Sequence, residues 1–181
     1  MKWASAISDH GDLVTALEAC AEKVAAELGP DAPVSLAMVF ASASYSDATY
    51  AVPRILGERF PGAMVLGCSG AGVIGAAREI EGPAAVALTV GYLPGVEAKP
   101  FHVISDELPS PDAPPDAWSE LLGVSPEEKP HFLVLMDPFS MPGEGILAGL
   151  DYAFPSAVKV GGLTSGSGLP SGHALFLGDE V

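Results

Sequence analysis

Six small residues in a row, Gly67-Cys68-Ser69-Gly70-Ala71-Gly72, form the segment of this chain best suited to hold a ligand. Glycine lets a backbone approach a bound molecule closely, and small residues following a buried strand can present N–H groups to it. A second segment, Gly161-Gly162-Leu163-Thr164-Ser165, offers similar chemistry with two added hydroxyls. Neither segment is a P-loop, because the Lys-Ser/Thr pair is missing, and neither is a G-x-G-x-x-G opening a long helix. The competing reading of each is tight packing at a strand end with no ligand. Two equivalent copies shift the balance toward binding. Facing each other across one crevice, they would enclose a small polar molecule between donors on Gly67, Ser69, Gly70, Gly162, Thr164 and Ser165.

Arg78, set beside Glu79 and Glu81, reads either as an ion-paired turn or as a clamp for a ligand carboxylate. Asp137 ends an apolar strand, where α/β proteins place ligand-binding groups, but Pro138 behind it makes turn formation the stronger reading. Cys68 invites the role of nucleophile. A thiolate needs a base or a positive neighbour, and no histidine lies near it in sequence, so it reads as a small buried hydrophobe. Cys20 sits on a helical apolar stripe and reads as core. His10, His102, His131 and His173 show no metal-ligand spacing. With no G-x-S-x-G elbow, paired catalytic carboxylates or H-E-x-x-H, the residues identify no reaction and no cofactor.

The elements that must position these residues follow from periodicity. Leu13, Leu17, Cys20, Val24 and Leu28 recur at helical spacing over residues 12–28, and Gly29-Pro30 stops the helix. Residues 34–41 form an apolar run rich in β-formers, expected as a strand buried on both faces. A helix up to Phe60 contains Pro53, so it either kinks or starts properly there. Further strands are expected over residues 63–66, 84–91 and 96–104. Residues 105–130, with six prolines and one short helix around 118–122, read as a semi-rigid connector. A strand over 131–136 and a helix over 143–154 come next.

The second half echoes the first. Phe60-Pro61-Gly62-Ala63 recurs as Phe154-Pro155-Ser156-Ala157, and each copy leads through a short strand into a glycine segment. The order strand, helix, Phe-Pro-x-Ala, strand, glycines occurs twice, as a duplicated βαβ unit would produce. The expected fold is therefore α/β, two repeated βαβ units forming mixed sheet covered by helices. The first repeat takes residues 30–105 and the second 131–181. No counterpart of the strand over 84–91 follows Leu175-Phe176-Leu177, which is read as an incomplete C-terminus of a longer natural protein.

At 181 residues with 49% hydrophobic and 17% charged content, the chain can bury a sizeable core. Its 23 acidic residues against 8 basic ones leave a charge of −15, which repels phosphate backbones and anionic lipid heads. Nucleic acid and membrane surfaces are therefore not expected partners. Two cysteines make no disulfide framework, and the opening residues make no signal peptide, so a cytoplasmic setting is expected.

Gly67-Cys68-Ser69-Gly70-Ala71-Gly72-Val73-Ile74-Gly75 followed by Arg78-Glu79-Ile80-Glu81 resembles the hallmark segment of FIST domains, named for F-box and intracellular signal transduction. Leu93-Pro94-Gly95-Val96 and Pro100-Phe101-His102 resemble the branch of that family found in cyanobacteria, plants and F-box proteins. Val160-Gly161-Gly162-Leu163 is similar to its downstream Gly-Gly motif, and the likeness runs from Lys2-Trp3-Ala4 to Phe176. The resemblance implies a sensory module for small ligands, with amino acids proposed. It also implies an output through signalling or ubiquitin-ligase partners, and the plastid stroma as compartment for a plant or algal member. Some relatives are described as haem sensors, but no axial-ligand position is marked here. The alternatives to a ligand sensor are an interaction scaffold with an empty pocket, a Cys68-dependent enzyme and a haem-based sensor.

Overall fold

The structure, a computed structural model, describes residues 1–29, 32–169 and 172–181. In chain order its elements are β1 (Lys2–Ser8), α1 (Leu13–Leu28), β2 (Leu36–Ser42), α2 (Ala51–Arg59), β3 (Met64–Gly70), β4 (Gly72–Gly75) and β5 (Arg78–Glu81). Then come β6 (Val86–Tyr92), α3 (Pro115–Leu122), β7 (Phe132–Met136), α4 (Gly143–Ala153), β8 (Lys159–Leu163) and β9 (Leu175–Leu177). The fold is α/β with mixed sheet. It divides into two units, Met1–Pro100 with Thr164–Val181, and Phe101–Leu163. Among the described residues no helix is long and apolar enough to cross a membrane.

The first unit is built on a five-stranded sheet in the order β1-β6-β2-β3-β9. Only β2 and β3 run parallel; β6 joins β1 and β2 antiparallel, and β9 joins β3 antiparallel. α1 begins at Asp12, whose carboxylate accepts hydrogen bonds from the Thr15 hydroxyl (2.7 Å) and the Thr15 N–H (2.9 Å). Those two bonds, the hydroxyl first, hold its pKa below the ordinary carboxylate value. Leu13, Leu17, Cys20, Val24 and Leu28 are all buried, as their spacing requires, in one core with Ala4, Ala6, Val39, Val52, Leu56, Leu88 and Val90. Gly29 caps the helix at φ 94, while Pro30 lies outside the described residues. Pro53 falls in the first turn of α2, where it costs no intrahelical bond, so the helix starts near the proline instead of kinking at it.

Several stretches of the chain differ from the sequence expectation. β1 was not anticipated, because its buried Ala4 and Ala6 are small and poor β-formers; it is held by its full register against β6. Residues 72–81 form a hairpin, with Ile80 and Val73 buried against Ile7, Ala85 and Ala87. Its two-residue turn, Ala76-Ala77, takes positive φ at both positions (46 and 58), the geometry that favours Asn-Gly, so the usual turn signature is missing. Residues 96–104 are not a strand: they carry no regular structure, and Pro100 has no N–H to give to a ladder.

The second unit packs α3 and α4 against the parallel pair β7–β8. Trp118, Leu122, Phe132, Val134, Met136, Ile146, Leu150 and Phe154 form its core, with Phe132 edge-on to Phe154 at 5.0 Å. The proline-rich stretch contributes α3 to this core. Pro115 stands at its first helical position, and Gly123 closes it in the left-handed conformation at φ 64.

β2–α2–β3 and β7–α4–β8 are built alike. Phe60 and Phe154 are both buried and end their helices at nearly the same dihedrals, φ −130, ψ 69 and φ −129, ψ 65. Gly67 then pairs with Val39, and Gly161 with Val134. A Cβ on either glycine would run into the carbonyl oxygen of its paired valine. These two glycines thus answer to one packing requirement, met twice.

Candidate functional site

Gly67, Cys68, Ser69 and Gly70 are not loop residues: all four belong to β3, and Gly72 opens β4. Their backbones are therefore committed to the ladder. Gly67 and Cys68 pair with Val39 and Phe40 on one side and with Phe176 and Leu175 on the other. Beyond the ladder, Ser69 is buried and its N–H donates to the Ala174 carbonyl (2.9 Å). Its Oγ accepts from the Ala174 N–H (3.0 Å). Ser165 donates its N–H to the Ser69 carbonyl (3.3 Å) and accepts from the Ala71 N–H through Oγ (3.1 Å). Thr164, buried, bonds the His173 ring, whose other nitrogen contacts the Ser167 carbonyl at 3.2 Å. These groups form an internal clasp that ties Thr164, Ser165, His173 and Ala174 to the end of β3. The close approach at Gly70, where a Cβ would lie 2.9 Å from the Gly72 carbonyl, belongs to the same packing.

Arg78 is exposed on the hairpin and faces the Asp9 carboxylate at 3.7 Å, the ion-pair alternative of the two read from sequence. In exposed water such a pair contributes little. Ser42 accepts from the Ala85 N–H (3.0 Å), and the buried Tyr45 donates to the His10 carbonyl (2.6 Å), so both secure the fold.

Cys68 is buried on β3, and burial raises its thiol pKa to about 11. That is about two units above the ordinary value of 9.0, so at pH 7 the thiolate fraction here is lower by about 100-fold. Alkylation of Cys68 by iodoacetamide at pH 7 is expected to run at least about 100-fold slower than that of free cysteine. A rate within tenfold of free cysteine, followed by mass spectrometry of the modified peptide, would restore the nucleophile reading. Cys20 is equally buried and raised to about 11 by the same cause.

The second unit holds an open cleft of about 540 Å³. It runs along β8 from Lys159 to Leu163, beside Val134 and Met136 of β7, and reaches the first turns of α4. Val134 and Met136 of β7, Val160 and Leu163 of β8, and Met141 and Leu147 give it an apolar lining. Gly161 and Gly162 also line it. Of the two, Gly162 has open space where a Cβ would stand, whereas a Cβ at Gly161 would meet the Val134 carbonyl. Lys159 contributes its stem, while its Nζ is occupied by the Phe154 carbonyl (2.6 Å) and the Asp151 carboxylate (2.9 Å). Glu144 lines it from the first turn of α4. Asp137 directly follows β7: its carboxylate accepts from the Phe139 N–H (3.3 Å), and its carbonyl from those of Ser140 (3.3 Å) and Met141 (3.2 Å). That is the turn role that Pro138 suggested.

The residues read from sequence as one cleft thus fall in two units. Gly67, Cys68, Ser69, Gly70, Gly72, Arg78, Thr164 and Ser165 belong to the first, and Asp137, Gly161 and Gly162 to the second. The apolar lining was not singled out in the sequence. Met136, Leu147 and Val160 look like ordinary core or helix residues there, and only their position around the cleft marks them.

The family model of the FIST N domain matches residues 35–181. No curated protein and no solved structure gives a match. The matched span runs from the residue before β2 through β9 and contains both βαβ units, the hallmark segment and the second glycine pair. FIST domains are sensory and signal-transduction domains. On a match covering well over half its length, this chain belongs to the FIST N domain family.

Proposed function

We propose that this chain is a small-ligand-binding sensory module whose ligand sits in the cleft of the second unit. The observation that carries the proposal is that cleft, set against a parallel strand pair and lined mostly by apolar side chains. Its size, about 540 Å³, lies within the range of small-metabolite sites. A metabolite with an amine and a large apolar body, of which an apolar amino acid is one kind, suits it in size and lining. Occupancy would be passed to a signalling or ubiquitin-ligase partner, as the family resemblance implies. The first unit's glycine and serine groups support the fold in this reading and leave the binding to the second. No catalytic step is assigned, since the one nucleophilic candidate, Cys68, is buried and protonated at neutral pH.

A thermal-shift series with leucine, methionine and phenylalanine, and with the amines left when each loses its carboxylate, tests the proposal. At a hundredfold excess over the dissociation constant, a true ligand adds about 2.7 kcal/mol and raises Tm accordingly. Leu147→Trp fills the cleft from α4, where Leu147 is 45% exposed and a larger ring is tolerated. This variant is expected to keep the unliganded Tm within a degree or two while the ligand shift disappears. If no metabolite moves Tm, or if Leu147→Trp leaves the shift intact, the cleft is not the site. The exposed apolar side chains of Val158, Val160 and Leu163 would then favour the interaction-scaffold reading.

A further inference from the structure

Two charged side chains border the cleft of the second unit, and their surroundings differ. Lys159 is held down: its side chain is 11% exposed, and its ammonium is occupied by the Phe154 carbonyl and the Asp151 carboxylate. Its charge is answered within the fold and is not offered to a ligand. Glu144 has no hydrogen bond or ion pair among the described residues, and its carboxylate stands in the first turn of α4 at the cleft rim. The exposed N-terminal end of a helix ordinarily attracts an anion, but here Glu144 itself answers that partial positive charge. The chain as a whole carries −15, which adds to the repulsion felt by an incoming carboxylate. The remaining lining is apolar, and Met136 and Met141 supply two thioethers of the kind that pack well against aromatic rings.

We infer that the charged end accepted by this cleft is a cationic amine and not a carboxylate, so that its ligand class is a primary amine carrying a bulky apolar, preferably aromatic, body. The inference rests on the cleft being the binding site. The apolar body would lie against Val134, Met136, Leu147 and Leu163. The ammonium would reach Glu144 at the rim, where a charge-assisted hydrogen bond is stronger than a neutral one. No bond is made or broken; recognition is by burial and charge alone.

Three probes of one shape separate the possibilities: 4-phenylbutylamine, 4-phenylbutanol and 4-phenylbutyrate, titrated into the full chain at ~0.15 M salt so that long-range attraction is screened. The amine is expected to bind about tenfold more tightly than the alcohol, a difference of about 1.4 kcal/mol, and the carboxylate more weakly than either. Glu144→Gln should bring the amine down to the affinity of the alcohol. Glu97→Gln, which removes the same charge in the first unit, should leave the preference intact. Equal binding of all three probes, tighter binding of the carboxylate, or equal effects of the two glutamate variants would overturn the amine assignment while leaving the cleft in place as a site. If none of the probes binds, or if Leu147→Trp leaves their binding unchanged, the cleft reading itself fails and the assignment falls with it.

Discussion

Gly67→Ala is expected to destabilise the chain by about 3 kcal/mol and to lower Tm by roughly 10 °C. The added methyl would run into the carbonyl oxygen of Val39 and lie 2.8 Å from that residue's carbonyl carbon and Cγ1. A backbone carbonyl in an interior strand cannot swing aside as a side-chain tip can. β2 and β3 would have to part where Gly67 also pairs with Phe176 of β9. Gly161→Ala should act in the same direction in the second unit, since its methyl would run into the Val134 carbonyl. The measurement also decides between two meanings of these glycines. A glycine kept for ligand contact would tolerate alanine in stability and lose only binding. A near-native Tm for Gly67→Ala would therefore count against the packing account and for a cradle.

Trp118→Ala should cost about 3–5 kcal/mol, the range for deleting a large buried aromatic side chain. Trp118 is 6% exposed on α3, and its indole lies so close over Gly149 of α4 that a Cβ there would enter the ring. Leu122, Phe132, Ile146 and Leu150 share its core, and no other aromatic ring lies in α3 or α4 near enough to the core centre to fill the space left. Urea unfolding, followed through the midpoint at constant slope, gives the value. A change below about 0.5 kcal/mol, the figure for an ordinary surface position, would return residues 105–130 to the role of a linker.

Both predictions concern places where local sequence signals and the packed molecule differ. The prolines at 109, 111, 114, 115, 126 and 130 describe a chain that cannot be continuous helix or strand, and that is true of this stretch. They say nothing about whether its one helix carries a buried tryptophan. GCSGAG reads locally as a loop because glycine disfavours strands on average. In β3 the preference is overridden, since the chain meets Val39 so closely that only glycine fits. The hairpin turn at Ala76-Ala77 was illegible for the opposite reason, an uncommon conformation adopted by residues that do not advertise it.

Periodicity and repetition, by contrast, were sufficient by themselves. The i, i+3, i+4 stripe determined α1 and its buried face, because burial at helical spacing needs no information from elsewhere in the chain. The apolar runs determined β2 and β7, and the recurrence of Phe-Pro-x-Ala pointed to two parallel βαβ units of one design. The glycine segments and their charged tail were enough to bring the family into view. What the tertiary structure alone decided is how each polar group is used. Ser69, Thr164 and Ser165 bond other parts of their own unit, and Asp137 bonds its own turn. An open cleft formed instead among apolar residues that no motif marks. A hydroxyl or a glycine has the same local signature whether its partner is a ligand or a strand many residues away, and only the packed chain supplies that partner.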